Sequence, residues 1–97
     1  MIVSFYDRGT EDVFDGVESK TARKACPQSL WRAARRKLDQ LNRVAELAEL
    51  TVPPGNRLEK LTGDRQGQYS IRINQQYRIC FTWENSNALE VQITDYH

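Results

Sequence analysis

The last third of the chain alternates apolar and polar residues in three short segments, which turn-forming residues separate. Strict alternation over about four to eight residues is typical of a strand that buries one face. Three such strands in succession predict an antiparallel meander with one apolar face. The apolar positions are Tyr69, Ile71 and Ile73, then Tyr77, Ile79, Phe81 and Trp83, and finally Leu89, Val91 and Ile93.

The turn between the first two strands decides which residues face each other. If it centres on Gln75, Ile71 faces Ile79, and a slip of one residue would expose the apolar set of both strands. The same register places Arg72 opposite Arg78 on the polar face, where directly opposed like charges destabilise a sheet. We therefore expect an anion beside this pair, either a protein carboxylate or the phosphate of a ligand.

The second turn extends the same register to the last strand. If it centres on Ser86, Trp83 faces Leu89 near the turn, and Arg78 faces Thr94 near the end of the chain. The polar face is then expected to be open to solvent, because the helices predicted below cover the apolar face.

An arginine pair beside a tyrosine can hold a phosphate and stack a base. The register groups Arg72, Arg78 and Tyr96 in this way on the open face, near the end of the sheet. The alternative is an ordinary exposed face, with both arginines spread into water and the tyrosine at its rim. Strict alternation sends Asp95 and His97 toward the helix side.

Before residue 53 the apolar spacing changes to three and four residues, which is typical of helices. The longest stripe predicts a helix that begins near Pro27 and continues through residues 44–50. Its buried positions are Leu30, Trp31, Ala34, Leu38 and Leu41. The shorter segments are a strand at 1–6, a short helix at 10–17 capped by Thr10 or Asp7, a loop at 18–26 and a short strand at 57–61.

These elements together predict an α+β fold. An N-terminal strand and two to three helices pack on one face of a mainly antiparallel, four- to five-stranded sheet. The chain has 97 residues, of which 39% are hydrophobic and 28% charged, so one soluble domain spanning residues 1–97 is expected.

Neither a membrane segment nor a scaffold of cysteines is apparent. No apolar run has membrane-spanning length, and the N-terminus lacks the charged-then-apolar pattern of a secretory signal, so a cytoplasmic protein without a membrane partner is expected. Cys26 and Cys80 fit neither a metal-ligand spacing nor a disulfide framework, which favours two reduced thiols. No metal site and no cofactor are predicted.

The net charge is only +1, but it is unevenly distributed. Residues 1–18 hold five acids and one base, whereas residues 20–43 hold eight bases and one acid. A basic stripe on one helix, which includes Arg35 and Arg36, predicts binding to a polyanion. The alternative is a solvated helix face, or one that pairs with the acidic N-terminal segment.

With these elements in order, the chain resembles the RelE/ParE superfamily of bacterial toxins. Within it the chain is similar to the HigB-type branch, also called host-inhibition or plasmid-maintenance killer proteins, and the likeness covers essentially the whole chain. The segments that carry it are PGNRLE at 54–59, LTGDR at 61–65, GQYSIR at 67–72, QYRICFTW at 76–83, DYH at 95–97 and the opening MIVSF.

The resemblance implies a RelE-like toxin that enters the ribosomal A site and cleaves mRNA there. It also implies a HigA-like helix-turn-helix antitoxin that inactivates the toxin and binds operator DNA as a complex with it. The implied active site joins the terminal trio Asp95, Tyr96 and His97 to Arg78. The candidate RNA-binding residues are Arg72, Arg65, Lys60 and Arg57, with Arg35 and Arg36 of the basic helix.

One departure from the family pattern concerns Glu59. Some members carry a histidine in the segment before Gly-Asp-Arg, where this chain has Glu59, so Glu59 becomes a candidate acid or base. Metal-independent cleavage requires the 2′-hydroxyl to lose a proton and the leaving 5′-oxygen to gain one. His97 has a reference pKa of about 6.5 and suits either step. Asp95 and the terminal carboxylate favour its imidazolium form, which suits an acid.

Two alternatives within the same superfamily stay open from the sequence. One is a non-enzymatic toxin that inhibits DNA gyrase, as the ParE branch does. The other is an inactive descendant that binds only the antitoxin or operator DNA.

Overall fold

The computed structural model describes residues 1–95, and within them three α-helices precede a four-stranded antiparallel sheet. The helices are α1 (Arg8–Asp15), α2 (Lys20–Ala25) and α3 (Trp31–Arg43). The strands are β1 (Glu59–Lys60), β2 (Tyr69–Arg72), β3 (Tyr77–Glu84) and β4 (Asn87–Asp95), in the order β1-β2-β3-β4. The predicted α+β fold, with helices packed on one face of a mainly antiparallel sheet, is confirmed.

The N-cap of helix α1 is Asp7, one of the two residues predicted for that position. The Asp7 carboxylate accepts the Thr10 backbone N–H at 2.7 Å, so Asp7 is the cap. Thr10 is instead fully buried, and its hydroxyl accepts the backbone N–H of Ile93 at 3.0 Å. This hydrogen bond fixes the start of α1 against β4, close to the last residues of the chain.

The prediction of a loop at residues 18–26 was wrong, because α2 occupies most of it. Ser19 caps this helix by accepting the backbone N–H of Ala22 at 3.0 Å. Ala22 is the one buried residue of α2, so the helix has no apolar stripe that periodicity would detect. The cap was the readable signal.

The helix α3 buries the predicted stripe but ends earlier than predicted. Trp31, Ala34, Leu38 and Leu41 are its buried residues. The helix stops at Arg43 because the backbone of the next residue is extended, and a short 3₁₀ turn at Leu47–Thr51 replaces the expected continuation.

The N-terminal segment was predicted as a strand but forms only isolated parallel bridges. Ile2 bridges to Ala88 and Phe5 bridges to Val91, both on β4. Between these two bridges β4 forms a bulge, where the Ser4 hydroxyl accepts a hydrogen bond from the backbone N–H of Glu90 at 2.9 Å. The bulge interrupts the ladder that a continuous fifth strand would require.

The register at the first hairpin is as predicted. Ile71 faces Ile79 and Arg72 faces Arg78 in the β2–β3 pair. In the β3–β4 pair, Arg78 faces Thr94 as predicted.

Near the second turn, however, the predicted pairing was wrong by one residue. Trp83 faces Ala88 rather than Leu89, because the bulge adds a residue to β4 between the turn and Gln92. Glu90, at the bulge, has a positive φ of 52°.

The main core lies between the helices and the apolar face of the sheet. Phe81, Ile71 and Ile79 are fully buried there against Leu38 and Leu41 of α3. Within residues 1–95, no helix is long and apolar enough to cross a membrane.

Candidate functional site on the second face of the sheet

The polar face of the sheet, called here the second face, was predicted to be open and is largely covered. Cross-strand pairs place its residues side by side, with Glu59 beside Ser70 and Arg78 beside Thr94. Ser70 is 0% exposed, Cys80 1% and Arg78 6%, so three central residues of the second face are buried from solvent. The residues of the second face are Glu59, Ser70, Arg72, Arg78, Cys80, Gln92 and Thr94.

The chain between α3 and β2 approaches this face at two points. The Arg57 carbonyl reaches Arg78, which donates to it from Nη2 at 2.6 Å. The side chain of Arg65 extends to Gln68 at 3.1 Å and to Gln92 of β4 at 3.4 Å. A polar cavity of about 430 Å³ lies beside Arg65, so the covered face retains space for a ligand at its edge.

Arg78 is held by neutral oxygen acceptors from two segments of the chain. Its Nε donates to the Ser70 hydroxyl at 2.8 Å, and Nη2 donates to the Arg57 carbonyl at 2.6 Å and to the Ser70 carbonyl at 3.5 Å. An arginine keeps its charge in proteins, so this buried group is a cation oriented by fixed acceptors.

Arg72 lies directly opposite Arg78 and has a buried donor that is not used. Its Nε atom is buried and makes no hydrogen bond, and no ion pair within residues 1–95 involves Arg72. The hydroxyl of Thr94, which faces Arg78 from the other side, is also buried, and it lies close enough to the Cys80 thiol to lower the pKa of that group. Two opposed cations with the unused Arg72 Nε beside them are suited to bind an anion.

Cys80 lies beside this group but is not poised as a nucleophile. Burial raises the pKa of the Cys80 thiol, while Thr94, Arg65 and Arg78 act in the opposite direction without cancelling it. A thiol with a raised pKa stays protonated at neutral pH and is unreactive. Cys26 is similar, since burial raises its pKa to about 11.

The register places Asp95 away from Arg78, as strict alternation predicted. Asp95 pairs with Tyr77 across β3 and β4, and its carboxylate accepts the side-chain amide of Gln76 at 3.0 Å. It lines a cavity of about 520 Å³ on the helix side, where Arg8 and Lys24 are also found. The predictions for Tyr96 and His97 lie outside the described residues.

The basic helix α3 lies on the opposite side of the sheet from the arginine pair. Arg35 is half-buried there, and its Nε donates to the Val13 carbonyl of α1 at 3.0 Å, whereas Arg36 is exposed. Lys37 donates to the buried side chain of Asn56, and burial, followed by the charge of Arg36, lowers the Lys37 pKa. Within residues 1–95, no ion pair joins α3 to the acidic N-terminal segment.

Three further candidates lie at the edge of the second face. Arg57, Glu59 and Lys60 have exposed side chains at or beside β1, the edge strand of the sheet. Glu59 pairs with Ser70, so its carboxylate shares the face that carries Arg78. Within the described part of the chain, no group of three or more His, Cys, Asp or Glu residues could hold a metal ion.

The sequence analysis placed Thr94 opposite Arg78 but gave no role to Thr94, to Ser70 or to the carbonyl of Arg57. Ser70 alternates with Tyr69 and Ile71, so its place on the second face was readable, although its bond to Arg78 was not. The Arg57 carbonyl had no sequence signal, because a main-chain group gains its role from the path of the loop.

The fold defines a class of protein. Two solved structures of YoeB–YefM complexes from Staphylococcus aureus match all of this chain and 98% of theirs, each with a TM-score of 0.54 at 16% identity. At that identity the likeness shows the fold alone, which this chain shares with the toxin–antitoxin complexes of YoeB and YefM.

Sequence comparison narrows the class to one family. A family described as the RelE-like toxin of type II toxin–antitoxin system HigB matches residues 3–97. Toxin HigB-1 of Vibrio cholerae is 36% identical over 93 residues, which are 96% of this chain and 95% of that protein. Endoribonuclease HigB of Proteus vulgaris is 29% identical over 97 residues, all of both chains. The chain belongs to the HigB-like toxin family, and the resemblance to this branch is confirmed.

Proposed function

We propose that the protein is a ribosome-dependent endoribonuclease that inhibits translation by cleaving mRNA. One relative carries the name endoribonuclease, and the family consists of toxins of type II systems. The observation that carries the proposal is the opposed Arg72–Arg78 pair, with its buried and unused Arg72 Nε beside it. A scissile phosphate bound beside this pair would be attracted by both guanidinium groups and could accept a hydrogen bond from Arg72 Nε.

The reaction assigned to this site is an attack of the RNA 2′-oxygen on the adjacent phosphorus. The bond to the 5′-oxygen breaks, which leaves a 2′,3′-cyclic phosphate on one fragment and a 5′-hydroxyl on the other. Negative charge grows on the phosphate oxygens during this step, and Arg78, whose orientation is already fixed, stabilises it together with Arg72. Binding on the ribosome supplies the in-line geometry.

The proton transfers are assigned to the end of the chain and to β1. His97 as an imidazolium gives its proton to the leaving 5′-oxygen, and Asp95 favours that charged form. Glu59 takes the proton of the 2′-hydroxyl, because its carboxylate belongs to the face that carries Arg78. Tyr96 stacks on or orients a base.

RNA backbone contacts are assigned to cations around the second face and on α3. Arg65 is fixed beside the polar cavity, and Lys60 and Arg57 extend from β1 and the loop before it. Arg35 and Arg36 face ribosomal RNA from the other side of the sheet. Because this binding is largely electrostatic, it weakens steeply with salt.

The proposed partners follow from the family. A HigA-like helix-turn-helix antitoxin holds the toxin inactive in the cytoplasm, and the pair binds operator DNA through the antitoxin. The family description names a type II toxin–antitoxin system, and both solved structures named above are of YoeB–YefM complexes, one of them titled a toxin–antitoxin complex.

Mapping mRNA ends after brief induction tests the proposal. We expect new 5′-hydroxyl ends within translated regions, and the same ends from purified protein only when ribosomes are present. Intact mRNA together with loss of gyrase supercoiling activity would favour the gyrase-inhibitor alternative. Intact mRNA, normal supercoiling and normal growth would indicate an inactive homologue.

A further inference from the structure

Arg78 donates hydrogen bonds to acceptors that come from different parts of the chain. The hydroxyl of Ser70, which is fully buried on β2, accepts a hydrogen bond from Arg78 Nε at 2.8 Å. The carbonyl of Arg57, in the loop before β1, accepts a hydrogen bond from Arg78 Nη2 at 2.6 Å. Two bonds to different edges of a planar guanidinium fix both its position and its plane.

The Arg57 carbonyl points at Arg78 because of an unusual backbone. Arg57 has φ 45° and ψ 57°, in the left-handed region that few residues other than Gly, Asn and Asp adopt readily. Its side chain is exposed. The main-chain role of this residue is therefore separable from any role of its charge.

A buried amide next to Arg57 holds the loop in place. Asn56 is fully buried, and its Nδ2 donates to the Leu50 carbonyl at 3.1 Å and to Gln40 on α3 at 3.0 Å. Its Oδ1 accepts from Lys37, also on α3. Hydrogen bonds from Asn56 therefore anchor the loop that carries the Arg57 carbonyl to α3.

We propose that residue 57 and Ser70 are positioning residues for Arg78, the first through its main-chain carbonyl and the second through its hydroxyl. Together they hold the Arg78 guanidinium, before the substrate binds, in the place where it contacts the phosphate. No entropy is then lost in ordering this long side chain during the reaction. The effect on rate rests on the proposed endoribonuclease function, whereas the orientation of Arg78 can be measured without it.

Two substitutions at residue 57 separate backbone from charge. Both substitutions remove the same cation, so a loss of RNA binding, seen as a higher KM, is expected in both variants. Arg57→Asn accepts the left-handed backbone, so we expect its kcat for cleavage of ribosome-bound mRNA to exceed that of Arg57→Val. Arg57→Val forces the backbone out of this region, so we expect kcat to fall by about 10²-fold. Equal kcat values in the two variants would overturn the proposal.

Nitrogen-15 NMR of the Arg78 Nε–H group gives a readout that does not depend on activity. In the wild type this proton donates to a buried hydroxyl, so its exchange with solvent is slow. We expect faster exchange in Ser70→Ala and Arg57→Val, and protection close to wild type in Arg57→Asn. Unchanged exchange in both Ser70→Ala and Arg57→Val contradicts the positioning role. If these differences are found but the wild type cleaves no mRNA, the positioning role stands and the endoribonuclease proposal fails.

Discussion

Replacing Arg72 by methionine tests whether the second face is built to hold an anion. Arg72 Nε is buried without a hydrogen bond, and the side chain faces the cation of Arg78. An unsatisfied buried donor costs about 1–3 kcal/mol, and an opposed like charge adds about 0.2–1 kcal/mol. Methionine keeps an unbranched stem and removes both penalties, but it loses the packing of the guanidinium. We therefore expect Arg72→Met to raise the free energy of unfolding by about 1 kcal/mol and Tm by roughly 4–8 °C.

Urea denaturation of the purified toxin measures this gain. The matched control is Arg36→Met, because Arg36 is exposed in the middle of α3, and its unfolding free energy should change by no more than about 0.5 kcal/mol. In a ribosome-dependent cleavage assay, Arg72→Met should lose about 10²-fold in rate. A gain in stability with a loss of cleavage is expected of a charge kept for substrate. A less stable Arg72→Met protein, or one that cleaves at the wild-type rate, would refute this reasoning.

Two further predictions concern the packing of α1 against α2. A Cβ at Gly9 would lie 2.4 Å from the Thr21 carbonyl oxygen, which is far closer than van der Waals contact. The overpacking costs up to about 3 kcal/mol, whereas alanine gains only roughly 1 kcal/mol over glycine in a helix. Gly9→Ala should therefore lower the free energy of unfolding by about 2 kcal/mol. Gly55→Ala is the control in the same thermal unfolding assay, because no atom lies within 4 Å of a Cβ built there. A Tm for Gly9→Ala equal to or higher than that of the wild type would contradict the packing argument. Hydrogen bonds from Ser19 and then Thr21 lower the pKa of the Asp12 carboxyl group in the folded protein. The stability that Asp12 contributes is therefore present above the unfolded-state pKa of about 3.9, and it is lost as the pH falls through the lower native pKa. Thr21→Val removes one of these bonds, so it should reduce the stability lost in urea melts between about pH 7 and about pH 3; an unchanged loss would exclude Asp12 as a contributor.

The register of the first hairpin was predictable because only one alignment buries every apolar residue. Ile71 could face Ile79 without exposing its neighbours, and this alignment also put Arg72 opposite Arg78.

The bulge in β4 was not predictable, because Leu89, Val91 and Ile93 alternate in the sequence as they would in a regular strand. The bulge nevertheless places Leu89 opposite Thr82, on the second face, and Ala88 on the apolar face.

The covering of the second face could not be read from alternation. A polar position next to a buried one reads as exposed, yet Ser70 and Cys80 are as buried as the core. Their burial depends on where the segment between α3 and β2 runs, and that path follows from tertiary contacts such as the Arg57 carbonyl on Arg78. In β2 and β3, the local pattern therefore predicted which residues share a face but not which of them are exposed to solvent.

The central claim is that Arg78 and the closing residues of the chain form a site that cleaves RNA. Single-turnover cleavage of ribosome-bound mRNA by Arg78→Lys and by His97→Ala tests it most directly, with thermal unfolding of each variant as the control for folding. Lysine keeps the charge but not the forked geometry, and alanine removes the proposed acid. We predict a loss of about 10²-fold or more in each folded variant. Cleavage at the wild-type rate by both variants would contradict the account.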